Sequence, residues 1–105
     1  MISVIYTTFP NEEIAIRIGK ELLEMNLIAC THITPITSQY VWKGKYCQEK
    51  EYGLHVKTNR HNTKSVIKYI NKEHPYEIPY IQTQEHTINN AYKAWMDSFL
   101  MYSGG

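Results

Sequence analysis

The proline-rich segment HPYEIP, residues 74–79, contains a histidine and a carboxylate, and a second carboxylate, Glu73, directly precedes it. Glu73, His74 and Glu77 are of types that ligate metals, since imidazole nitrogens and carboxylate oxygens bind divalent cations. The two prolines fix their own φ angles and keep the preceding residues extended, so the segment would display its side chains on a stiff backbone. His74 is therefore the strongest single candidate for a metal ligand. The alternative is a histidine favoured at the end of a helix by the helix dipole.

A second candidate pair, Cys30 and His32, lies two residues apart in a stretch of extended character. Alternate residues of a strand point to the same face, so this thiol and imidazole would lie side by side, a combination that suits Cu(I) or Zn(II). Two ligands do not complete a site, because structural zinc almost always has four, and a buried cysteine often acts as a small apolar residue. Metal binding and packing both stay open for this pair.

The predicted strands and helices must position these candidates. Runs of β-branched and aromatic residues predict strands, and apolar residues at helical spacing, such as Ile14, Ile18 and Leu22, predict helices. The predicted strands cover residues 2–9, 28–42, 47–58 and 78–86, and the predicted helices cover residues 12–26, 62–74 and 89–100. The order is therefore β-α-β-β-α-β with an appended helix, the ferredoxin-like, split βαβ pattern of an α+β domain.

The second and third strands are predicted to form a long hairpin. Its turn is placed at residues 44–45, and a bulge is placed near Pro35. Tyr40 and Trp42 are interpreted as packing anchors that fix the hairpin register, because large rings beside a tight turn hold the two strands in place.

A sheet of this kind carries helices on one face, so its open face must meet water or a partner. Apolar side chains occur on both faces of the predicted strands, which favours a symmetric oligomer that covers the open face. In that case Glu51 and Lys57 of the third strand would either pair between subunits or line a ligand cleft. The closing helix is predicted to have Ala91, Trp95 and Phe99, spaced four apart, on one face.

Composition limits the possible functions. The 105 residues suit a single domain, 1–105, with a disordered tail at 103–105, and the two cysteines are expected to be reduced. The net charge of +1, with acidic and basic residues interspersed, argues against nucleic-acid binding. No apolar run spans a bilayer and no signal peptide is present, which predicts a cytoplasmic protein without a membrane partner. No phosphate-binding loop or activated nucleophile indicates an enzyme.

Several short motifs, in order, resemble the CutA family of divalent-cation tolerance proteins. The resemblance runs from about Ile2 to Trp95, and none of its motifs is specific alone. The motifs are TTFPNEE (7–13), LIAC (27–30), SQYVWKGK (38–45), EYGLHVKT (51–58), HPYEIP (74–79) and AYKAW (91–95).

The resemblance implies a ferredoxin-like subunit in a tight homotrimer, similar in architecture to PII signalling proteins. It also implies a role in metal tolerance, copper or another divalent metal ion as ligand, and no established reaction. His74 falls where family members bind copper, whereas Thr7 and Tyr80 stand where relatives have cysteine and glutamate. A second possibility is a PII-like sensor that binds a small anion between subunits, and an unidentified protein partner stays open.

Overall fold

The computed structural model describes residues 1–102, and the elements follow the predicted order. The strands are β1 (Ile2–Phe9), β2 (Cys30–Trp42), β3 (Lys45–Asn59) and β4 (Ile81–His86). The helices are α1 (Glu12–Glu24), α2 (Thr63–Glu73), which follows a single 3-10 turn (Arg60–Asn62), and α3 (Asn90–Asp97). The strands form one antiparallel sheet in the order β2-β3-β1-β4, which confirms the ferredoxin-like prediction.

Local sequence explains both ends of α1. The side chain of Asn11 accepts a hydrogen bond from the backbone N–H of Ile14 at 2.9 Å, which caps the first turn. At the other end Asn26 has a φ of +57°, and the N–H of Leu27 bonds the carbonyl of Leu22. This is the Schellman arrangement, in which a left-handed residue ends the helix.

One face of the sheet is covered by α1 and α2, and it holds the main core. Side chains from β1, β3 and both helices are fully buried there, and they form one apolar cluster. The largest of them are Phe9, Ile5, Ile18, Leu22, Ile28, Leu54, Val56, Val66 and Ile70.

The opposite face of the sheet, the open face, is not bare of helices as the sequence suggested. Ile2 and Val4 of β1 point to this face, and Met96 of α3 packs on them together with Leu100, three residues after the helix. Trp95 and Phe99 share a face as predicted, with 4.9 Å between their ring centroids, but that face does not pack on the sheet, because Trp95 keeps 49% of its surface exposed. Beyond α3, the open face carries more polar groups than a core would, among them Tyr6, Thr8, His32, His55 and Gln82.

The outer part of the β2–β3 hairpin extends beyond the rest of the sheet. Since β1 ends opposite Tyr52, residues 36–42 and 45–51 have no third strand beside them, and we call them the hairpin arm. The turn lies at Lys43 and Gly44, one residue earlier than predicted, and both have positive φ, as a tight two-residue hairpin turn requires. The arm contributes to an overall shape of 47 × 25 × 22 Å.

Details of β2 and β4 also differ from prediction. The β2–β3 ladder is unbroken from the Cys30–Lys57 pair to the Trp42–Lys45 pair, so the predicted bulge near Pro35 is absent. Because β2 is an edge strand, proline is tolerated there without one. The fourth strand begins at Ile81 rather than at residue 78, and the predicted tail at 103–105 lies outside the described residues.

Candidate functional site

His74 is held inside the chain by both of its ring nitrogens. Its Nδ1 accepts a hydrogen bond from the backbone N–H of Tyr76 at 3.1 Å, so its Nε2 carries the proton and donates to the carbonyl of Thr8 at 2.9 Å. The ring also stacks on Phe9, with 4.6 Å between centroids. Burial lowers the pKa of His74, which the hydrogen bond to Thr8 and the charge of Glu51 oppose. The histidine therefore ties the loop after α2 to the end of β1.

The neighbouring carboxylate, Glu73, is also engaged. Its Oε1 accepts a hydrogen bond from Arg17 at 3.2 Å, and the same guanidinium bonds Glu21 one turn along α1. This ion network joins α1 to the end of α2, where it is partly exposed. Glu73 thus has a structural partner within the chain.

Cys30 and His32 lie on the other side of the sheet, on the open face. The hydroxyl of Tyr92 donates to Cys30 Sγ at 3.3 Å, and this hydrogen bond raises the pKa of Tyr92. His32 is exposed and lies directly opposite His55 in the ladder. The pKa of His55 is lowered mainly by burial, and the nearby His32 and Lys57 lower it further.

The four predicted metal ligands therefore fall into two pairs on opposite faces of the sheet. His74 and Glu73 belong to the helix-covered side, whereas Cys30 and His32 belong to the open face. Within residues 1–102 no group of three or more His, Cys, Asp or Glu side chains is arranged to hold a metal ion. The described residues of one chain thus do not assemble a three-ligand site for copper by themselves.

A cavity of about 370 Å³ opens where the hairpin arm leaves the rest of the sheet. The arm forms one wall, and the segment between α2 and β4, which contains HPYEIP, forms the other. Its lining residues are Thr8, Tyr40, Trp42, Glu49, Glu51, Tyr76, Glu77, Ile78 and Tyr80. This volume falls within the range of small-molecule sites.

Carboxylates and tyrosine hydroxyls dominate the electrostatics of this cavity. Glu51 is only 7% exposed, and its Oε2 accepts a hydrogen bond from the hydroxyl of Tyr76. Burial and this carboxylate raise the pKa of Tyr76, and the Glu49 carboxylate raises the pKa of Tyr40 to about 12. Both phenols therefore stay protonated at neutral pH, and the charge of the lining comes from its glutamates.

Sequence reasoning located parts of this cavity without assembling them. It placed Glu51 in either an intersubunit pair or a cleft, and it interpreted Tyr40 and Trp42 as packing anchors. In the structure all three line the cavity. Within the chain the ammonium of Lys57 lies 5.6 Å from the centroid of the Tyr92 ring, and its pairing with Glu51 between subunits stays a prediction. Tyr76 was missed, although it stands within the HPYEIP segment.

Comparison with known proteins gives consistent matches. A sequence profile of the family described as CutA1 divalent ion tolerance protein matches residues 3–98. The divalent-cation tolerance protein CutA of Thermotoga maritima is 42% identical over 94 residues, which are 89% of this chain and 93% of that protein. Among solved structures, CutA1 from Ehrlichia chaffeensis superposes with a TM-score of 0.89 at 36% identity and covers 92% of both chains. CutA1 from Pyrococcus horikoshii gives 0.90 at 32% identity, over 96% of this chain and 99% of that one.

Proposed function

This chain belongs to the CutA1 divalent ion tolerance protein family, and from that premise we propose that it is a non-enzymatic metal-tolerance protein that works as a homotrimer. The family match over residues 3–98 is the observation that carries the tolerance role. We place the protein in the cytoplasm. None of the helices in residues 1–102 is long and apolar enough to cross a membrane.

The hairpin arm supports the proposal of an oligomer. A two-stranded hairpin is only marginally stable by itself in water. The arm nevertheless exposes large apolar residues, with Val41 at 69%, Tyr46 at 65% and Trp42 at 43% exposure. A neighbouring subunit that covers the arm would remove this surface from water.

The trimer is tested by sedimentation equilibrium of the full chain. We expect a particle of three times the 12.4 kDa chain mass. Trp42→Ala together with Val41→Ala should shift the equilibrium toward smaller species, whereas Leu23→Ala, an exposed apolar residue of α1, should leave it unchanged. A well-folded monomer of the unaltered chain across the concentration range would refute the trimer.

Copper or another divalent cation is the proposed cargo. Since one chain supplies no set of three ligands among its described residues, we propose that side chains from more than one subunit coordinate the ion. His32 is the accessible candidate, because its exposed side chain makes no hydrogen bond within residues 1–102, and Cys30 shares its face. His74 and Glu73 have partners already.

Calorimetric titration of Cu(II) into metal-free protein tests this assignment. We expect saturable binding that His32→Gln abolishes and that His86→Gln, a change of an exposed histidine on β4, preserves. Binding that is lost with His74→Gln but kept with His32→Gln would overturn the assignment. That result would place the copper site at His74, in the loop after α2.

The cavity beside the hairpin arm favours a second candidate function, the PII-like sensing of a small ligand. Pocket volume and enclosure by two different elements are the usual features of a ligand site. This function and metal tolerance are compatible, because the cavity and His32 use different residues.

A further inference from the structure

The lining of the cavity has an unbalanced charge. Glu49, Glu51 and Glu77 are three carboxylates among the nine residues of one chain that line it, and this chain contributes no lysine or arginine to that lining. Such a surface repels the small anion that the family resemblance led us to expect and attracts a cation.

Glu51 gives the strongest reason to expect a cation. The residue is more than nine-tenths buried, and only one of its two carboxylate oxygens is hydrogen-bonded, to the hydroxyl of Tyr76. The other oxygen makes no hydrogen bond with any residue between 1 and 102, and solvent reaches it. The carboxylate therefore presents an uncompensated negative charge to the cavity, since no cationic side chain of the same chain lines it.

The walls of the cavity specify what kind of cation fits. Tyr40, Trp42, Tyr76 and Tyr80 present aromatic rings, and Ile78 adds an apolar side chain. Aromatic faces attract ammonium groups that carry carbon substituents, and several rings around one charge form the usual site for such ions. The Trp42 ring already shows this attraction, since the ammonium of Lys43 lies 5.8 Å from its centroid.

A bare divalent metal is a poorer match for the same walls. Metal ions require several oxygen, nitrogen or sulfur ligands at short distance, and the glutamates of the cavity do not form such a group among the described residues. We propose that the cavity beside the hairpin arm binds a small organic ammonium ion, with Glu51 as the counter-charge and the aromatic rings enclosing its carbon groups. This inference rests on the small-ligand function proposed above and does not depend on copper binding.

The matched pair of choline and 3,3-dimethylbutan-1-ol tests the charge requirement. The two molecules have nearly the same shape, but only choline carries a positive charge. We expect choline to bind the full chain saturably, with a dissociation constant of about 1 mM for so small a ligand, and the neutral analogue to bind at least about tenfold more weakly. Calorimetry or chemical-shift titration measures both. Equal affinities would overturn the proposal.

Variants of the lining residues identify the site. Trp42→Leu should weaken choline binding about tenfold through the lost cation–π contact, and Glu51→Gln should weaken it by at least about tenfold. Glu77→Gln, at an exposed carboxylate, should cost about threefold. Glu24→Gln removes the same charge from the exposed end of α1 and should leave binding unchanged.

Two outcomes separate failure of this inference from failure of the small-ligand function. Parallel titrations with ATP and with inorganic phosphate supply the anionic comparison. Saturable binding of either anion without binding of choline would refute the cation and leave a small-ligand role in place. Absence of saturable binding by all three would refute both. Because Glu51→Gln also weakens the hydrogen bond from the Tyr76 hydroxyl, the exposed Glu77→Gln variant keeps the test valid if the first variant misfolds.

Discussion

The β2–β3 hairpin passes through two different environments along one continuous ladder. Near residues 52–59 its inward side chains are fully buried beneath α1 and α2, as Leu54 and Val56 show. In the hairpin arm the same two strands keep their pairing, but Val41 and Tyr46 are mostly exposed. Backbone pairing is therefore the same in the two halves, and burial by other elements is what differs.

This difference indicates which half of the hairpin stabilises the folded chain. Burial of apolar surface provides most of the folding free energy, so the half beneath the helices should carry it. The arm contributes shape, a wall of the cavity and an apolar surface. Its own stability should come from whatever covers it. The predictions below test this division, starting with the largest expected effect.

Two identical substitutions compare the halves directly. Val56→Ala, at a fully buried site, should lower the free energy of unfolding by about 2 kcal/mol, because it leaves a cavity in the core. Val41→Ala, at a site 69% exposed, should change it by less than about 0.5 kcal/mol. Urea denaturation measures both.

Measurements at two protein concentrations separate folding from assembly. Val41→Ala should alter only the part of the stability that depends on concentration. If Val41→Ala destabilised the chain as much as Val56→Ala at every concentration, the division between the two halves would be wrong.

A smaller effect is expected at Gly53, where the well-packed half meets the arm. An added Cβ would lie 2.6 Å from the Tyr6 hydroxyl, since the Tyr6 ring crosses the open face directly above this glycine. Gly53→Ala should therefore cost about 1 kcal/mol as the ring moves aside. The cost should shrink when Tyr6→Thr is also present, and a double-mutant cycle by thermal denaturation measures the coupling. Strictly additive costs would show that the ring does not constrain this position.

The smallest effect concerns pH. Burial lowers the pKa of His74 below its value in the unfolded chain, so the folded state binds fewer protons than the unfolded state near that value. The stabilising contribution of His74 is then full above the unfolded pKa and is lost as pH falls through it toward the folded pKa. His74→Gln should reduce the loss of stability between pH 7.5 and pH 5. Part of that loss should remain in the variant, because the pKa of His55 is lowered as well.

The arm provides the control for this pH effect. Gln48→Ala, an exposed change with no titrating group, should leave the dependence on pH as in the unaltered chain. Urea denaturation at the two pH values measures all three proteins. An unchanged dependence in His74→Gln would show that protonation of this half-buried ring does not destabilise the fold.

Sequence predicted the fold where local rules act. The cap at Asn11, the β1 and α1 elements and the order of strands and helices along the chain follow from patterns within a few residues. The packing face of α3 could not be predicted this way, because apolar residues lie on more than one side of that helix. The contact of α3 with Ile2, which is distant in sequence, buries Met96 and leaves Trp95 exposed.

The candidate site was harder to predict because its walls come from distant segments. HPYEIP was recognised as unusual for its histidine, yet the structure uses that histidine to fasten the segment, and Tyr76 beside it faces the cavity. Glu51 contacts Tyr76 because β3 packs beside the loop after α2. The spacing of residues within either segment does not predict this tertiary contact. Only the three-dimensional arrangement brings their charges and rings together.

The uninterrupted pairing between Cys30 and Lys57 at one end and Trp42 and Lys45 at the other limits how this hairpin can change in length. One inserted or deleted residue in a single strand would turn every side chain beyond it to the opposite side. Two residues added to each strand would keep Trp42 and Tyr40 on the side they occupy now. Length variation among descendants of this gene should therefore occur in blocks of four residues, split equally between the strands.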